Sequence, residues 1–335
     1  MSRAQLTSTV EQNTGGAVSP YVAGKNVLIN GGFDIWQRGT SNSNGNTYTA
    51  DRWYTQSAGG ATTSQQTSGA PIGSQYYLRS TSSAASGGSN YYQFIETVNT
   101  SQMWGRTVTF TVKLRRNATM NANLVVNLYA SSTVDAGIAV HPATTLATST
   151  VSNASLPTAT GSSDWLTVVL TATVPNNGTA NSVYVQVSLA ANITTGASFD
   201  IAQAQLEIGA VATPFSRAGG TLSGELTLAQ RYYFRNASTN ASTAFGVGVM
   251  NGSAQARTFT QFPVAMRISP TGVDYANIQV FDGTSYYTPS AGGAVNNNPT
   301  GAYLYWTVSG SAASRAAVIQ DSGSNNSYIA FSAEL

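Results

Sequence analysis

Few side chains in this sequence could carry out catalysis. It contains one histidine, no cysteine and 13 acidic residues. A Ser-His-Asp triad needs an imidazole as its base. His141 is followed directly by Pro142, and no Gly-x-Ser-x-Gly motif opens a helix. We therefore predict that His141 lies in a loop and is not catalytic. One histidine cannot supply a typical zinc site, and no local pair of carboxylates suggests glycoside hydrolysis. The sequence therefore predicts a protein without enzymatic activity.

Two pairs of tyrosines in the C-terminal part of the chain could stack on sugar rings. Tyr303 and Tyr305 share one face of a predicted strand and lie about 7 Å apart, which suits adjacent sugars. Tyr286 and Tyr287 lie in a nearby predicted loop. Aromatic faces hold pyranose rings while a few polar groups fix their orientation. We predict glycan contact at these four tyrosines, although the same face could equally pack on another subunit.

The composition excludes several classes of protein and partner. Only 8% of the 335 residues are charged, and the formal net charge is +2. The one basic cluster, Lys113 with Arg115 and Arg116, falls short of the basic stripe of a nucleic-acid-binding protein, and we interpret it as a solvated strand face. No apolar run of about 18 residues is present. The sequence thus predicts no nucleic-acid partner and no membrane insertion.

Alternating apolar and polar residues predict strands over most of the chain. This pattern is clear in Thr107–Arg115, Leu166–Val174 and Val183–Leu189, where every second residue would face a core. Turn-rich stretches separate these runs, which favours an all-β sandwich or barrel. A short helix is predicted at Glu225–Arg231, and strands resume after it.

Four segments follow from this pattern. Residues 1–25 are polar and aperiodic and form an extended N-terminal arm, which we expect another protein to hold. Residues 26–217 form a β-sandwich domain, residues 218–224 a linker rich in glycine, and residues 225–335 a second, smaller β-sandwich domain.

Two stretches at the ends of the first domain resemble known proteins. The opening, Asn26-Val-Leu-Ile-Asn-Gly-Gly-Phe-Asp-Ile-Trp-Gln-Arg-Gly39 with Tyr48–Tyr54, and the closing stretch, Phe199–Phe215, resemble domains of bacteriophage tail-fibre and related virion proteins. They also resemble the first and last strands of jelly rolls like those of carbohydrate-binding modules. The resemblance implies a jelly-roll fold for residues 26–217.

The same resemblance implies a structural calcium ion, which in such jelly rolls often joins the first and last strands. Asp34 fits the acidic position of the opening motif, and Asp200 fits the aspartate of the last strand. Asp200 also shares the phase of Ala202, Ala204, Leu206 and Ile208, which we expect to be buried, so its carboxylate needs a partner. The alternative is that both carboxylates accept backbone N–H groups or pair with Arg38 or Arg52. No other cofactor is expected.

Together these features suggest a non-enzymatic virion protein, a tail fibre or receptor-binding-type subunit that attaches to host surface glycans. The fibre class implies a homotrimer, with residues 1–25 docked on other virion proteins and host surface polysaccharide as a further partner. Three alternatives stay open: a head-decoration or head-fibre protein, a baseplate component, and a glycan-degrading tail enzyme with two facing carboxylates.

Overall fold

Two β units, each with its own core, make up the chain. The computed structural model describes residues 23–335 except 44, 58, 86, 242, 312 and 325. The first unit comprises residues up to Asp34 and Ser41–Glu225, and the second comprises Ile35–Thr40 and Leu226–Leu335. Most of the predicted attachment arm, residues 1–22, lies outside the described residues.

Some strands of the first unit coincide with the segments of alternating apolar and polar residues, and others are mostly polar. In chain order the strands are β1 (Ser41–Ser43), β2 (Thr47–Tyr48), β3 (Tyr54–Ser57), β4 (Ala61–Gln66), β5 (Tyr77–Ser82), β6 (Ser89–Ile95), β7 (Thr107–Arg116), β8 (Leu124–Ser131), β9 (Thr144–Val151), β10 (Leu166–Thr173), β11 (Ser182–Leu189) and β12 (Ser198–Ile208). Helix α1 (Thr97–Thr100) and the 3₁₀ turns Ser101–Met103, Ile138–Val140 and Asn153–Ser155 connect them.

These strands form two six-stranded antiparallel sheets. The first has the order β1-β4-β5-β12-β7-β10 and the second β2-β3-β6-β11-β8-β9. The two sheets face each other across buried aromatic side chains: the rings of Tyr91 on β6 and Phe199 on β12 lie 6.0 Å apart, and the Tyr91 hydroxyl lies 2.8 Å from Thr63 Oγ1 on β4. The predicted all-β, jelly-roll-type sandwich is confirmed.

Strand β12 contains a β-bulge that the sequence pattern did not reveal. Ala202 is paired with Lys113 and Gln205 with Thr111, so three steps on β12 match two steps on β7. Gln203 has a φ of 48°, and the extra residue exchanges the two faces of the strand. The predicted common phase of Asp200 and Leu206 is therefore wrong: Ile201 pairs with buried Leu114 before the bulge and Leu206 with buried Phe110 after it, whereas Asp200 faces away from the core.

Residues 218–224, predicted as a linker, are anchored in the structure. Helix α2 (Leu222–Gln230) begins within this segment, three residues before the predicted Glu225. The buried carboxylate of Glu225 accepts hydrogen bonds from the backbone N–H groups of Gly219, at 2.7 Å, and Asn30. A Cβ on Gly219 would lie 2.2 Å from the carbonyl carbon of Gly224, so the turn requires glycine. Burial raises the pKa of Glu225.

The second unit is also built of two antiparallel sheets. Its strands are β13 (Tyr233–Ala237), β14 (Ala244–Met250), β15 (Gln255–Gln261), β16 (Val273–Ala276), β17 (Ile278–Phe281), β18 (Tyr286–Tyr287), β19 (Ala291–Asn298), β20 (Gly301–Thr307), β21 (Ala316–Asp321) and β22 (Tyr328–Ser332). They form a three-stranded sheet, β13-β22-β16, and a seven-stranded sheet, β18-β17-β21-β14-β15-β20-β19.

Aromatic side chains fill the core of the second unit. Trp306 is fully buried, and its Nε1 donates to Thr258 Oγ1 at 2.9 Å. The ring of Tyr275 packs edge-on against Trp306 with centroids 5.1 Å apart. In the described part of the chain, no helix is long and apolar enough to span a membrane.

Candidate functional site

A pocket on the outer face of the first sheet is the candidate binding site of the first unit. Its floor is formed by Thr111 and Lys113 of β7, Thr167 of β10, and Gln203 and Gln205 of β12. Thr167 and Ala202 flank Lys113 in register on the neighbouring strands. The bulge in β12 brings the side chains of Gln203 and Gln205 to the same pocket, and such re-aiming of side chains is a common use of β-bulges.

Two loops form the walls of this pocket, which we call the sheet-face pocket. Ile72 and Gly73 lie on one side and Ala212–Phe215 with Arg217 on the other, and the open pocket between them has a volume of about 430 Å³. This volume falls within the range of about 300–1,000 Å³ that is usual for small-molecule sites. Phe215, half-buried in the wall, provides an aromatic surface. None of the described residues that line the pocket is acidic.

The amide side chains hold the walls in place through hydrogen bonds. Gln203 Nε2 donates to Ile72 O at 2.9 Å and to Ser74 Oγ at 3.0 Å. Gln205 Oε1 accepts from the Ser216 N–H at 2.8 Å, and Gln205 Nε2 donates to Glu207 Oε1 at 2.9 Å. The pocket is therefore pre-formed by its own polar contacts, which lowers the entropic cost of binding a ligand.

Three polar groups of the pocket are not used by these contacts. Among the described residues, Gln203 Oε1 accepts no hydrogen bond and Lys113 Nζ makes neither a hydrogen bond nor an ion pair. The Thr111 hydroxyl is buried and has no hydrogen-bond partner in the described part of the chain. Burial lowers the pKa of Lys113, because a half-buried amine is less well hydrated as a cation. An acceptor and a cationic donor thus face the pocket ready to bind polar groups.

Next to Lys113 on the outer face of the same sheet lies a buried arginine, Arg115. Arg115 is 2% exposed, and its guanidinium lies over the rings of Tyr77 at 4.7 Å and Trp165 at 4.1 Å. It donates to Asp200 Oδ2 at 2.7 Å and to the carbonyl oxygens of two glycines, 69 and 161, at 2.8 Å. The predicted solvated face is therefore wrong at Arg115, which is covered by aromatic rings and loops, whereas Lys113 and Arg116 are partly exposed.

The two carboxylates predicted to bind calcium have arginine partners. Asp200 accepts from Arg79 at 2.7 and 2.9 Å as well as from Arg115, and Asp34 accepts from Arg217 at 2.7 and 3.1 Å. The partners are thus not Arg38 and Arg52, which the alternative interpretation named. In the described ranges, no group of three or more acidic or histidine side chains is placed to hold a metal ion. Calcium binding stays a prediction.

The outer face of the second sheet carries a network of tyrosines and amides. Gln186 Nε2 donates to Tyr92 Oη at 2.8 Å, Tyr92 Oη donates to Gln56 Oε1 at 2.8 Å, and Asn127 Nδ2 donates to Gln186 Oε1 at 2.7 Å. Burial raises the pKa of Tyr92 to about 12. The polar groups of this face already satisfy one another, so it offers fewer free groups to a ligand than the sheet-face pocket.

His141 covers one end of this network. Its Nδ1 lies 3.1 Å from Tyr184 Oη, its ring packs edge-on against the rings of Tyr92, Tyr129 and Tyr184, and burial lowers its pKa. The histidine follows the 3₁₀ turn Ile138–Val140, in a loop as predicted. A histidine packed among tyrosines in this way fixes the loop against the sheet.

The four tyrosines predicted to bind glycans all lie on the seven-stranded sheet of the second unit, but they do not form a single cluster. Tyr286 and Tyr303 share its outer face and lie five strands apart, about 24 Å at the usual strand spacing. Tyr287 is partly buried against the core of that unit, and its hydroxyl donates to Asp282. Tyr305 lies beside Tyr303, with the Arg257 guanidinium 5.8 and 5.9 Å from the two ring centres. Sugar contact at these residues stays a prediction.

An apolar row crosses this outer face between Tyr286 and Tyr303. The register places Tyr286 beside Phe281, which is followed by Val318, Val247, Phe259 and Tyr303 on successive strands. Val247 is 67% exposed and Phe259 50% exposed. Aligned apolar side chains of this kind are unusual on a surface that faces only water.

The sequence held a partial signal for the sheet-face pocket. The alternation Gln203-Ala-Gln205 within a strand predicts two amides on one polar face, and Lys113 stands on the polar face of β7. The pairing of β12 with β7 and the positions of the two loops are long-range features, and no local pattern encodes them.

No family model and no curated protein matches the chain. Among solved structures, it is similar to one titled "CBM4 structure and function", at 21% identity and a TM-score of 0.34 over 54% of this chain and 98% of that one. A family 22 carbohydrate-binding module of Clostridium thermocellum Xyn10B shows 16% identity and a TM-score of 0.33 over 50% of this chain and 99% of that one. The tailspike protein 4 of bacteriophage CBA120 shows 12% identity and a TM-score of 0.36 over 57% of this chain and 22% of that one. At TM-scores below 0.5, these similarities assign no ligand or activity to this chain.

Proposed function

We propose that the chain is a non-enzymatic glycan-binding subunit of a phage particle, of the tail-fibre or receptor-binding type. The observation that carries the glycan-binding part is the sheet-face pocket, a pre-formed volume of 430 Å³ on the outer face of a β-sandwich. Its free amide oxygen, its amine and its aromatic wall are the groups that sugar recognition uses.

The virion assignment rests on the sequence resemblance of the two ends of residues 26–217 and on the composition. With 8% charged residues, most outer strand faces can pack against identical copies without burying unpaired charges. We propose a homotrimer, and the apolar row across the seven-stranded sheet is the surface that another copy would cover. Three copies would present three pockets, and multivalent attachment would strengthen a weak single-site interaction.

Filling the sheet-face pocket tests the glycan-binding proposal. Thr167 is an exposed residue of the pocket floor, so T167W would fill the pocket while leaving the sheet intact. T173W places the same side chain on the same face of β10, also at an exposed position, but outside the pocket lining. The full-length protein and both variants would be applied to an array of bacterial surface polysaccharides and oligosaccharides.

We expect the parent protein and T173W to bind the same glycans and T167W to lose at least tenfold in apparent affinity for them. Equal binding by T167W would exclude the pocket, and no glycan binding by the parent protein would overturn the proposed adhesion function. Release of reducing ends from a bound polysaccharide would overturn the non-enzymatic assignment.

A further inference from the structure

Lys113 is an uncommitted positive charge within the sheet-face pocket. The chain contains two lysines, and the other, Lys25, donates to Pro214 O at 3.0 Å. Lys113 pairs with no described residue, although it is only half-exposed. A cation held partly out of water without a counter-ion costs free energy unless a ligand supplies the opposite charge.

The second cation that lines the pocket is already neutralised. Arg217 donates to both oxygens of Asp34, at 2.7 Å from Nε and 3.1 Å from Nη2. A bidentate ion pair of this kind leaves little charge for a ligand. The pocket therefore offers one unit of positive charge, which matches a singly charged anion such as a carboxylate better than a doubly charged phosphate.

We propose that the sheet-face pocket selects acidic sugars, with Lys113 Nζ binding the carboxylate of a uronic or sialic acid residue. This inference rests on the proposed glycan-binding function and names its substrate class. Gln203 Oε1 and the Thr167 hydroxyl, which line the same pocket as Lys113, would accept hydrogen bonds from the ring hydroxyls and donate hydrogen bonds to them. Phe215 would cover an apolar edge of the sugar.

The first experiment compares acidic oligosaccharides with their carboxyl-reduced counterparts. Tetragalacturonate and a sialylated trisaccharide would be offered to the full-length protein beside the same molecules after reduction of the carboxyl group to an alcohol. K113Q removes the charge and keeps a polar side chain that is one atom shorter than lysine. R106Q removes one positive charge at an exposed position outside the pocket and is the matched control for net charge.

We expect the parent protein and R106Q to prefer one acidic oligosaccharide over its reduced form by at least tenfold, and K113Q to lose that preference while keeping its binding to the reduced form. Binding of reduced and acidic forms with equal affinity would overturn the acidic-sugar inference and leave the glycan-binding function standing. Binding of neither form would also overturn the acidic-sugar inference, whereas the glycan-binding function is decided by the polysaccharide array.

A second measurement follows Lys113 directly. After reductive ¹³C-methylation, the chain carries two labelled lysines and the N-terminal amine, and K113Q assigns the signal of Lys113. We expect added galacturonate to shift that signal and to raise the pKa of Lys113, because a nearby anion favours the protonated amine. The signal of Lys25, whose amine donates to Pro214 in the pocket wall, should shift less. An unchanged Lys113 signal at saturating acidic sugar would contradict the proposal.

Discussion

Arg115 and Asp200 lie opposite each other on β7 and β12, and Arg115 Nε donates to Asp200 Oδ2 at 2.7 Å. Asp200 also accepts two hydrogen bonds from Arg79. The pair stands on the outer face of the sheet, yet Arg115 is 2% and Asp200 1% exposed, because the rings of Tyr77 and Trp165 enclose the guanidinium. Through its bonds to Arg115 and Arg79, Asp200 on β12 links β7 and β5 at the end of the strands beyond the sheet-face pocket.

Removing the charge of Asp200 should destabilise the first unit strongly. D200N leaves the guanidinium of Arg115 buried without its anion, and breaking a buried pair in this way costs about 3–5 kcal/mol. Urea unfolding of the full chain, followed by tryptophan fluorescence, would measure the loss. D164N, which removes the charge of a less buried carboxylate of the same unit, should cause a smaller loss of stability. Equal losses for the two substitutions would show that burial of the ion pair does not increase its contribution to stability.

The strands with clear apolar alternation were predictable from the sequence. The pattern in Thr107–Arg115 and Val183–Leu189 corresponds to β7 and β11, and the pattern in Leu166–Val174 corresponds to β10. Period-two alternation is a local property of the chain, and it survives whenever one face packs on a core. The all-β prediction follows from many such runs.

Strands without that alternation could not be predicted in the same way. The segment Ala61–Gln66 consists mostly of threonine, serine and glutamine, and Ala291–Asn298 mostly of glycine and asparagine. Both lie at or near the edges of their sheets: β4 pairs with β1 and β5, and the edge strand β19 pairs with β20. Their structure is determined by the partner strand, since β-propensity depends strongly on context.

The candidate site could not be predicted in full, because it requires the β-bulge at Gln203, and only long-range contacts determine that bulge. The bulge at Gln203 is held by the backbone of Ala204, whose N–H donates to Gly31 O at 2.9 Å and whose carbonyl accepts from Asn26 Nδ2 at 3.0 Å. These contacts join residues more than 170 positions apart. The alternation within β12 alone predicts that Asp200 faces the core, because no local sequence pattern reveals the extra residue of the bulge.

The stability of the second unit should fall in acid because of Asp282. The backbone N–H groups of Ser285 and Thr284, followed by Arg315 and Tyr287, lower the pKa of Asp282 to about 2. A carboxylate whose folded-state pKa lies below the unfolded value of about 4 stabilises the fold above that value, and the stabilisation is lost as the pH falls toward the folded-state pKa.

D282N should therefore be less stable than the parent protein at pH 5, and the difference should shrink between about pH 4 and about pH 2. Urea midpoints measured at half-unit steps across this range would test the sign. D274N, at an exposed position of the same unit, is the control. A difference that stays constant with pH would mean that the aspartate acts through its shape and not through its charge.

The apolar row on the seven-stranded sheet should control assembly if copies meet there. V247K introduces a charge at the centre of the row, at a position that is 67% exposed, so the monomer fold should tolerate it. We expect light scattering coupled to size-exclusion chromatography to report a trimer for the parent protein and a monomer for V247K. V134K, at a position 63% exposed in the first unit, should leave the mass unchanged, and a monomeric parent protein would contradict the proposed trimer.

Gly248 should be intolerant of any side chain because β15 lies too close. A Cβ at this position would be 1.8 Å from the carbonyl oxygen of Arg257 and 2.8 Å from Thr258 Cα, both backbone atoms of the neighbouring strand. G248A therefore forces β14 and β15 apart, and overpacking of this kind costs about 1–3 kcal/mol. The matched control is G272A, since a Cβ on Gly272 would meet no atom within 4 Å. Thermal unfolding of the two variants separates the explanations: a loss confined to G248A reflects the close approach of the strands, whereas equal losses would reflect only the removal of glycine.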